Sequence, residues 1–129
     1  RLGLSNVRFV GYVPYAQLHE YFWASDIFVH LAKFEPWGIS AQDALVANLK
    51  IVTSDRVGSG VVHLKGELSA FLVTGDDPVR AACVMRRALI TPEIAFSAAW
   101  ESASTLFTAE GLAKAWNDLL RRGACPHRY

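Results

Sequence analysis

Short, almost unbroken apolar runs recur along this chain, each followed by a stretch with helical spacing. Asp26-Ile27-Phe28-Val29-His30-Leu31, Ile51-Val52-Thr53 and Ala70-Phe71-Leu72-Val73-Thr74 show no steady alternation of polar and apolar residues. A strand with one wet face alternates, whereas a strand covered on both faces need not. Runs this short, separated by helices, are the pattern of parallel strands joined by crossovers. Val7-Arg8-Phe9-Val10-Gly11, β-branched and aromatic and closed by glycine, is expected to be a further strand. The fold class expected is α/β: a Rossmann-like parallel sheet of about four strands flanked by helices, with a helical C-terminal segment.

The segments between and after these runs read as helices. Leu18, Tyr21, Phe22 and Ser25 share one face over roughly residues 15–24, and Gly38 to about Ala47 is helical in composition. Ser40-Ala41-Gln42-Asp43 resembles a capping box. Asp55 to Gly60 is expected to be a loop; its Gly58-Ser59-Gly60 is only part of a dinucleotide fingerprint, because His63 stands where the third glycine belongs. Asp77-Pro78 and Thr91-Pro92 are helix starts, since Asp and Thr cap and Pro fits the first turn. Val79, Ala82, Cys83, Leu89 and Ile90 follow the first at helical spacing, and Phe96, Ala99, Trp100, Ala103 and Phe107 follow the second as an apolar stripe read as core. Thr108 is expected to open a last helix carrying Leu112, Ala115, Trp116, Leu119 and Leu120, with Arg121 and Arg122 in its final turn and Gly123 ending it.

At 129 residues the chain is one domain or a large part of one, read as residues 1–123 with a tail at 124–129. Hydrophobic residues are 52%, enough to exclude a disordered segment. Lys plus Arg is 13 against 12 for Asp plus Glu, so no single-sign field argues for nucleic acid as a partner. Cys83 and Cys125 are read as reduced thiols, and no apolar run approaches the roughly 18 residues that span a bilayer. The expected location is therefore cytoplasmic, with peripheral association at the inner membrane face as an extension. His19, His30, His63 and His127 show no metal-ligand spacing, and no metal or cofactor is expected. The chain begins with Arg1 and its one methionine is Met85, so an N-terminally truncated piece is expected, with self-association through an exposed sheet edge.

In open parallel sheets ligands bind beyond the carboxyl ends of the strands, which singles out the loops after Val10, Leu31, Thr53 and Val73. The loop after Leu31 carries the most chemistry. It reads Phe34-Glu35-Pro36-Trp37-Gly38-Ile39-Ser40-Ala41-Gln42-Asp43. Free amides at a helix start attract phosphate, and carboxylates accept hydrogen bonds from sugar hydroxyls. The residues point to a phosphorylated, hydroxyl-rich ligand. Each also has a plainer reading: Glu35 as a solvated carboxylate, Asp43 as a cap, Trp37 as packing, Gly38 as a turn.

The order and spacing of these motifs resemble the carboxy-terminal domain of retaining GT-B glycosyltransferases of family 4. The matching residues are Val7 to Gly11, then Ala24-Ser25-Asp26-Ile27-Phe28-Val29, Glu35-Pro36-Trp37-Gly38, Asp43-Ala44, and Asn48 to Ser54. The resemblance implies transfer of a sugar from a nucleotide-sugar donor to a glycan, lipid or small-molecule acceptor, with no metal needed. It makes Glu35 the catalytic-site carboxylate on the donor sugar and Asp43 the ribose contact. Amides of Trp37, Gly38, Ile39 and Ser40 would approach sugar and phosphates, and Gly11, Tyr12 and Val13 the base. An amino-terminal domain of the same parent would hold the acceptor, so this piece alone is expected to be inactive. Position 43 departs from the pattern, with Asp in place of Glu. The alternatives are a nucleotide-sugar epimerase of the same fold and a non-catalytic α/β binding or interaction domain.

Overall fold

A computed structural model describes residues 4–106, 108–111 and 113–114. Pro14 precedes a 3₁₀ turn at Tyr15–Gln17 that runs into α1, Leu18–Trp23. Then come β1 (Ile27–His30), α2 (Ile39–Val46), β2 (Lys50–Ser54), α3 (Gly58–His63), β3 (Leu72–Val73), α4 (Pro78–Ile90) and α5 (Ser97–Leu106). Further 3₁₀ segments cover Gly66–Phe71 and Glu93–Phe96. The three strands are parallel in the order β1-β2-β3, with Ile27 opposite Lys50 and Thr53 opposite Leu72. This is the expected α/β, Rossmann-like arrangement.

Central strand β2 is buried along its whole length. Its pleat sends Lys50, Val52 and Ser54 to one face and Ile51 and Thr53 to the other. Lys50 Nζ donates to the carbonyls of Leu89 (3.1 Å) and Thr91 (3.2 Å) at the end of α4. A buried ammonium is thereby satisfied at the negative end of a helix. Thr53, on the other face, lies against Gly60 of α3. Helix α4 thus covers one side of the sheet, while α2, α3 and α5 pack together on the other. Leu45, Ile51, Val52, Leu64 and Phe96 fill the fully enclosed core. The Phe71 and Phe96 rings meet at 4.7 Å, and Trp100 Nε1 donates to the Leu49 carbonyl at 2.9 Å.

Five sequence expectations need correction, the first being that Thr91 caps no following helix: it ends α4, its Oγ1 donating to the Arg87 carbonyl at 2.8 Å, and Pro92 leads into the 3₁₀ segment Glu93–Phe96 ahead of α5. Residues 7–11 form no strand: Phe9 is 95% exposed, and no described strand offers the ladder that β-propensity alone cannot supply. The described sheet therefore has three strands, not four. The loop after β2 stops at Val57, and Gly58-Ser59-Gly60 lies inside α3, where the glycines permit close packing. The capping box is absent because α2 begins two residues earlier, with Gly38 as its N-cap and no side-chain cap. The run at 70–74 contributes only Leu72–Val73 as strand, because Gly66–Phe71 winds as 3₁₀.

The Asp77 cap forms, accepting from the Val79 amide at 2.8 Å, and Pro78 occupies the first turn. Phe96, Ala99 and Ala103 are fully buried, as the stripe implies. Thr108 Oγ1 accepts from the Gly111 amide at 2.9 Å, the expected start of the last helix. Phe107, Leu112, Ala115, Trp116, Leu119, Leu120, Arg121, Arg122, Gly123, Cys125 and the tail lie outside the described residues. No described helix is long and apolar enough to cross a membrane.

Candidate functional site

The carboxyl ends of all three strands open into one cleft of about 290 Å³. Ala32 and Lys33 follow β1, Asp55 and Arg56 follow β2, and Asp76 and Asp77 follow β3 on its rim. This is the convergence that the strand-end rule anticipates for the loops after Leu31, Thr53 and Val73. Ser54 Oγ donates to the Ala32 carbonyl at 2.6 Å and ties two of these loops together. Lys33 pairs with Asp76 at 3.5 Å, and an Arg56 Nη1 donates to the Lys33 carbonyl at 3.4 Å. Asp55, Asp76 and Asp77 outnumber Lys33 and Arg56 around the cleft. Its walls alone carry no surplus of positive charge for a polyanion.

Glu35 stands next to this rim without lining the cleft. Its amide donates to the Arg56 carbonyl and its carbonyl accepts from Gly58, both at 3.1 Å, in an isolated parallel bridge to Val57. The side chain turns back toward the start of α2. Oε1 accepts from the amides of Gly38 (3.1 Å) and, more weakly, Trp37 (3.4 Å). Two of the amides assigned to a ligand are therefore engaged by Glu35 itself. The Ile39 and Ser40 amides, in the first helical turn, have no intrahelical acceptor. Glu35 Oε2 accepts no hydrogen bond among the described residues, so it remains open to a hydroxyl donor.

Gly38 makes this geometry accessible. It adopts φ 84° and ψ 69°, the left-handed region in which a Cβ is strained. A Cβ there would also lie 2.8 Å from Val57 Cγ1. Helix α3 latches the loop from behind: Ser59 donates through its amide to the Trp37 carbonyl (2.7 Å) and through Oγ to the Gly38 carbonyl (3.1 Å). A Cβ on Gly58 would overlap the Pro36 carbonyl oxygen. The Gly58 and Gly60 positions are thus explained by packing against the 35–38 loop and β2.

Asp43 lies in the second turn of α2, beside a different hollow. Tyr15, Leu18, His19, Phe22 and Val46 line this space of about 330 Å³ with it. Tyr15 Oη donates to Asp43 Oδ2 at 3.2 Å. That bond, then the charge of the carboxylate and finally desolvation hold the Tyr15 hydroxyl above the usual tyrosine range. Gly11, Tyr12 and Val13 precede this hollow and line neither it nor the strand-end cleft; Tyr12 is 91% exposed and Val13 partly buried.

Behind the loop sits a buried histidine that periodicity does not reveal. His63 Nε2 lies 2.7 Å from Gln42 Oε1, and Nδ1 lies 2.9 Å from Ser102 Oγ. Gln42 Nε2 in turn donates to the Ala103 carbonyl at 3.0 Å. The network ties α2, α3 and α5 together. Burial, with the charge of Lys65, lowers the His63 pKa. The half-buried Trp37 ring meets the His63 ring edge-on at 6.2 Å. The sequence signals for Glu35 and Gly38 were their place after a buried strand; Tyr15, 28 residues from Asp43, had none.

The family model for glycosyl transferases group 1 matches residues 1–102 of the chain. Neither the curated proteins nor the solved structures contain a match to it.

Proposed function

This chain belongs to the glycosyl transferases group 1 family, and we propose that it holds the nucleotide-sugar donor of a retaining glycosyltransferase. The observation that carries the reading is the Glu35 carboxylate bound to the amides of Trp37 and Gly38 at the start of α2. One oxygen is fixed by backbone donors, so the other is presented in a single orientation to a sugar hydroxyl. The neighbouring Ile39 and Ser40 amides offer hydrogen-bond donors and the positive end of a helix to a phosphate. Asp43 is a second carboxylate on the same helix, suited to a ribose.

In the reaction the bond from the sugar's anomeric carbon to the diphosphate breaks, and a hydroxyl oxygen of a glycan, lipid or small-molecule acceptor bonds to that carbon as its proton passes to the departing diphosphate. The chain's contribution is positioning and stabilisation of charge, not attack by a side-chain nucleophile. A departing diphosphate needs cations beyond those near the Glu35 loop, where Lys33 is paired and acids are in excess. We therefore expect this chain to bind donors without turning them over.

The test is amide-resolved NMR on isotope-labelled chain titrated with UDP- and GDP-sugars. Ile39 and Ser40 should show the largest shifts. Shifts confined to other segments, or none, would refute the reading and favour a non-catalytic module. Release of free UDP or GDP by the purified chain would overturn the expected inactivity.

A further inference from the structure

We infer that Tyr15 is a positioning residue that orients the Asp43 carboxylate and so gives the site its preference for ribose over deoxyribose nucleotides. The inference rests on the donor-binding reading above and adds a residue to it.

Tyr15 is 72% exposed, so packing does not account for its placement. It is held from two other directions. Pro14 fixes the entry to the 3₁₀ turn, and the Gln17 amide closes that turn on the Pro14 carbonyl at 2.9 Å. Its hydroxyl then donates to Asp43 Oδ2 at 3.2 Å. A lone aspartate rotates its carboxylate and presents either oxygen. With Oδ2 engaged, Oδ1 is the open acceptor, and the described residues place no hydrogen bond on it. The raised Tyr15 pKa reports the same interaction, since ionising the phenol would break the bond and set like charges together.

The surroundings fit the ligand. The hollow beside Asp43 is walled by Tyr15, Leu18, His19, Phe22 and Val46, with Asp43 its carboxylate. Aromatic and apolar walls with one ionised acceptor suit a flat ring joined to a hydroxyl-bearing sugar. Asp43 is also one methylene shorter than the glutamate implied by the resemblance, with fewer torsions for Tyr15 to fix. A carboxylate held in place rewards a donating hydroxyl and gives a deoxyribose nothing.

The experiment titrates the 129-residue chain with UDP and dUDP, and with GDP and dGDP. Wild type should prefer the ribose form. Tyr15→Phe should weaken ribose nucleotides about five-fold and leave the deoxy forms unchanged. Equal weakening of both forms would assign Tyr15 to packing and overturn the inference. Asp43→Asn separates the two levels of the argument. If it abolishes the preference while Tyr15→Phe keeps it, the Tyr15 role falls and the donor reading stands. If Asp43→Asn also keeps the wild-type preference, the Tyr15 role falls together with the ribose contact at Asp43, while the Glu35 donor reading stands; if wild type binds none of these nucleotides, both fall.

Discussion

Replacing Gly60 by alanine tests how α3, and through it the Glu35 loop, is seated on the sheet. A Cβ at this position would overlap Thr53 Oγ1 and lie 3.0 Å from Thr53 Cβ and 3.2 Å from its Cγ2. Thr53 is fully buried on the central strand, and a β-branched side chain has few rotamers to retreat into. Helix α3 must therefore move off the sheet. Overpacking of this kind costs about 1–3 kcal/mol, and a hydrogen bond lost between α3 and the loop adds about 1 kcal/mol. The better helix propensity of alanine returns about 1 kcal/mol. The expected net loss is about 2 kcal/mol. Thr53→Ala removes Oγ1 and Cγ2 and leaves only the 3.0 Å contact to Cβ, and because Thr53 Oγ1 has no hydrogen-bond partner among the described residues, that change breaks no bond. The double variant should recover about 1–2 kcal/mol relative to additivity. Urea unfolding followed by tryptophan fluorescence measures all four proteins. A Gly60→Ala chain as stable as wild type, or strict additivity in the cycle, would refute the packing argument.

Lys50→Met should cost about 2 kcal/mol in the same assay, because it removes both hydrogen bonds to the end of α4 and leaves two carbonyls without their donor. Gly58→Ala should distort the Glu35 loop through its overlap with the Pro36 carbonyl, weakening donor binding more than Gly60→Ala does by the same titration. Stability should fall on the acid side through His63. Its folded pKa is lowered, so the unfolded chain takes up the proton first. The contribution is full above the unfolded value of about 6.5 and declines as pH drops toward the folded value, below which the loss is constant. Urea midpoints measured from about pH 7.5 down to pH 5 should show this slope, and His63→Gln should flatten it.

The sheet was legible because burial on both faces leaves a direct trace in sequence. Ile27 to His30 and Ile51 to Thr53 lack polar alternation for the reason that β2 lies between two helical layers. Asp77-Pro78 was legible because capping is local, and the bond to Val79 needs only two residues. Val7 to Gly11 misled for the converse reason: strand formation depends on a neighbour that propensity does not encode. Gly58 and Gly60 looked like loop residues because a glycine's use depends on what approaches it, here the Pro36 carbonyl and Thr53. At the candidate site, the sequence singles out Glu35 and Gly38 by their position after a strand. It does not reveal the Glu35 bond to the loop's own amides, since a sequence does not say whether a carboxylate turns inward or outward. The His63–Gln42–Ser102 network and the Tyr15–Asp43 bond join residues far apart in sequence and left no spacing to read.

The most direct measurement is a calorimetric titration of the chain with UDP- and GDP-sugars, repeated on Glu35→Gln and Glu35→Ala. The amide oxygen of glutamine can still accept from Trp37 and Gly38, so Glu35→Gln should keep the loop and the urea midpoint. It should bind the sugar about ten-fold more weakly, as expected when a charged acceptor is lost, and Glu35→Ala more weakly still. Wild-type affinity in both variants would show that Glu35 braces the loop and touches no donor.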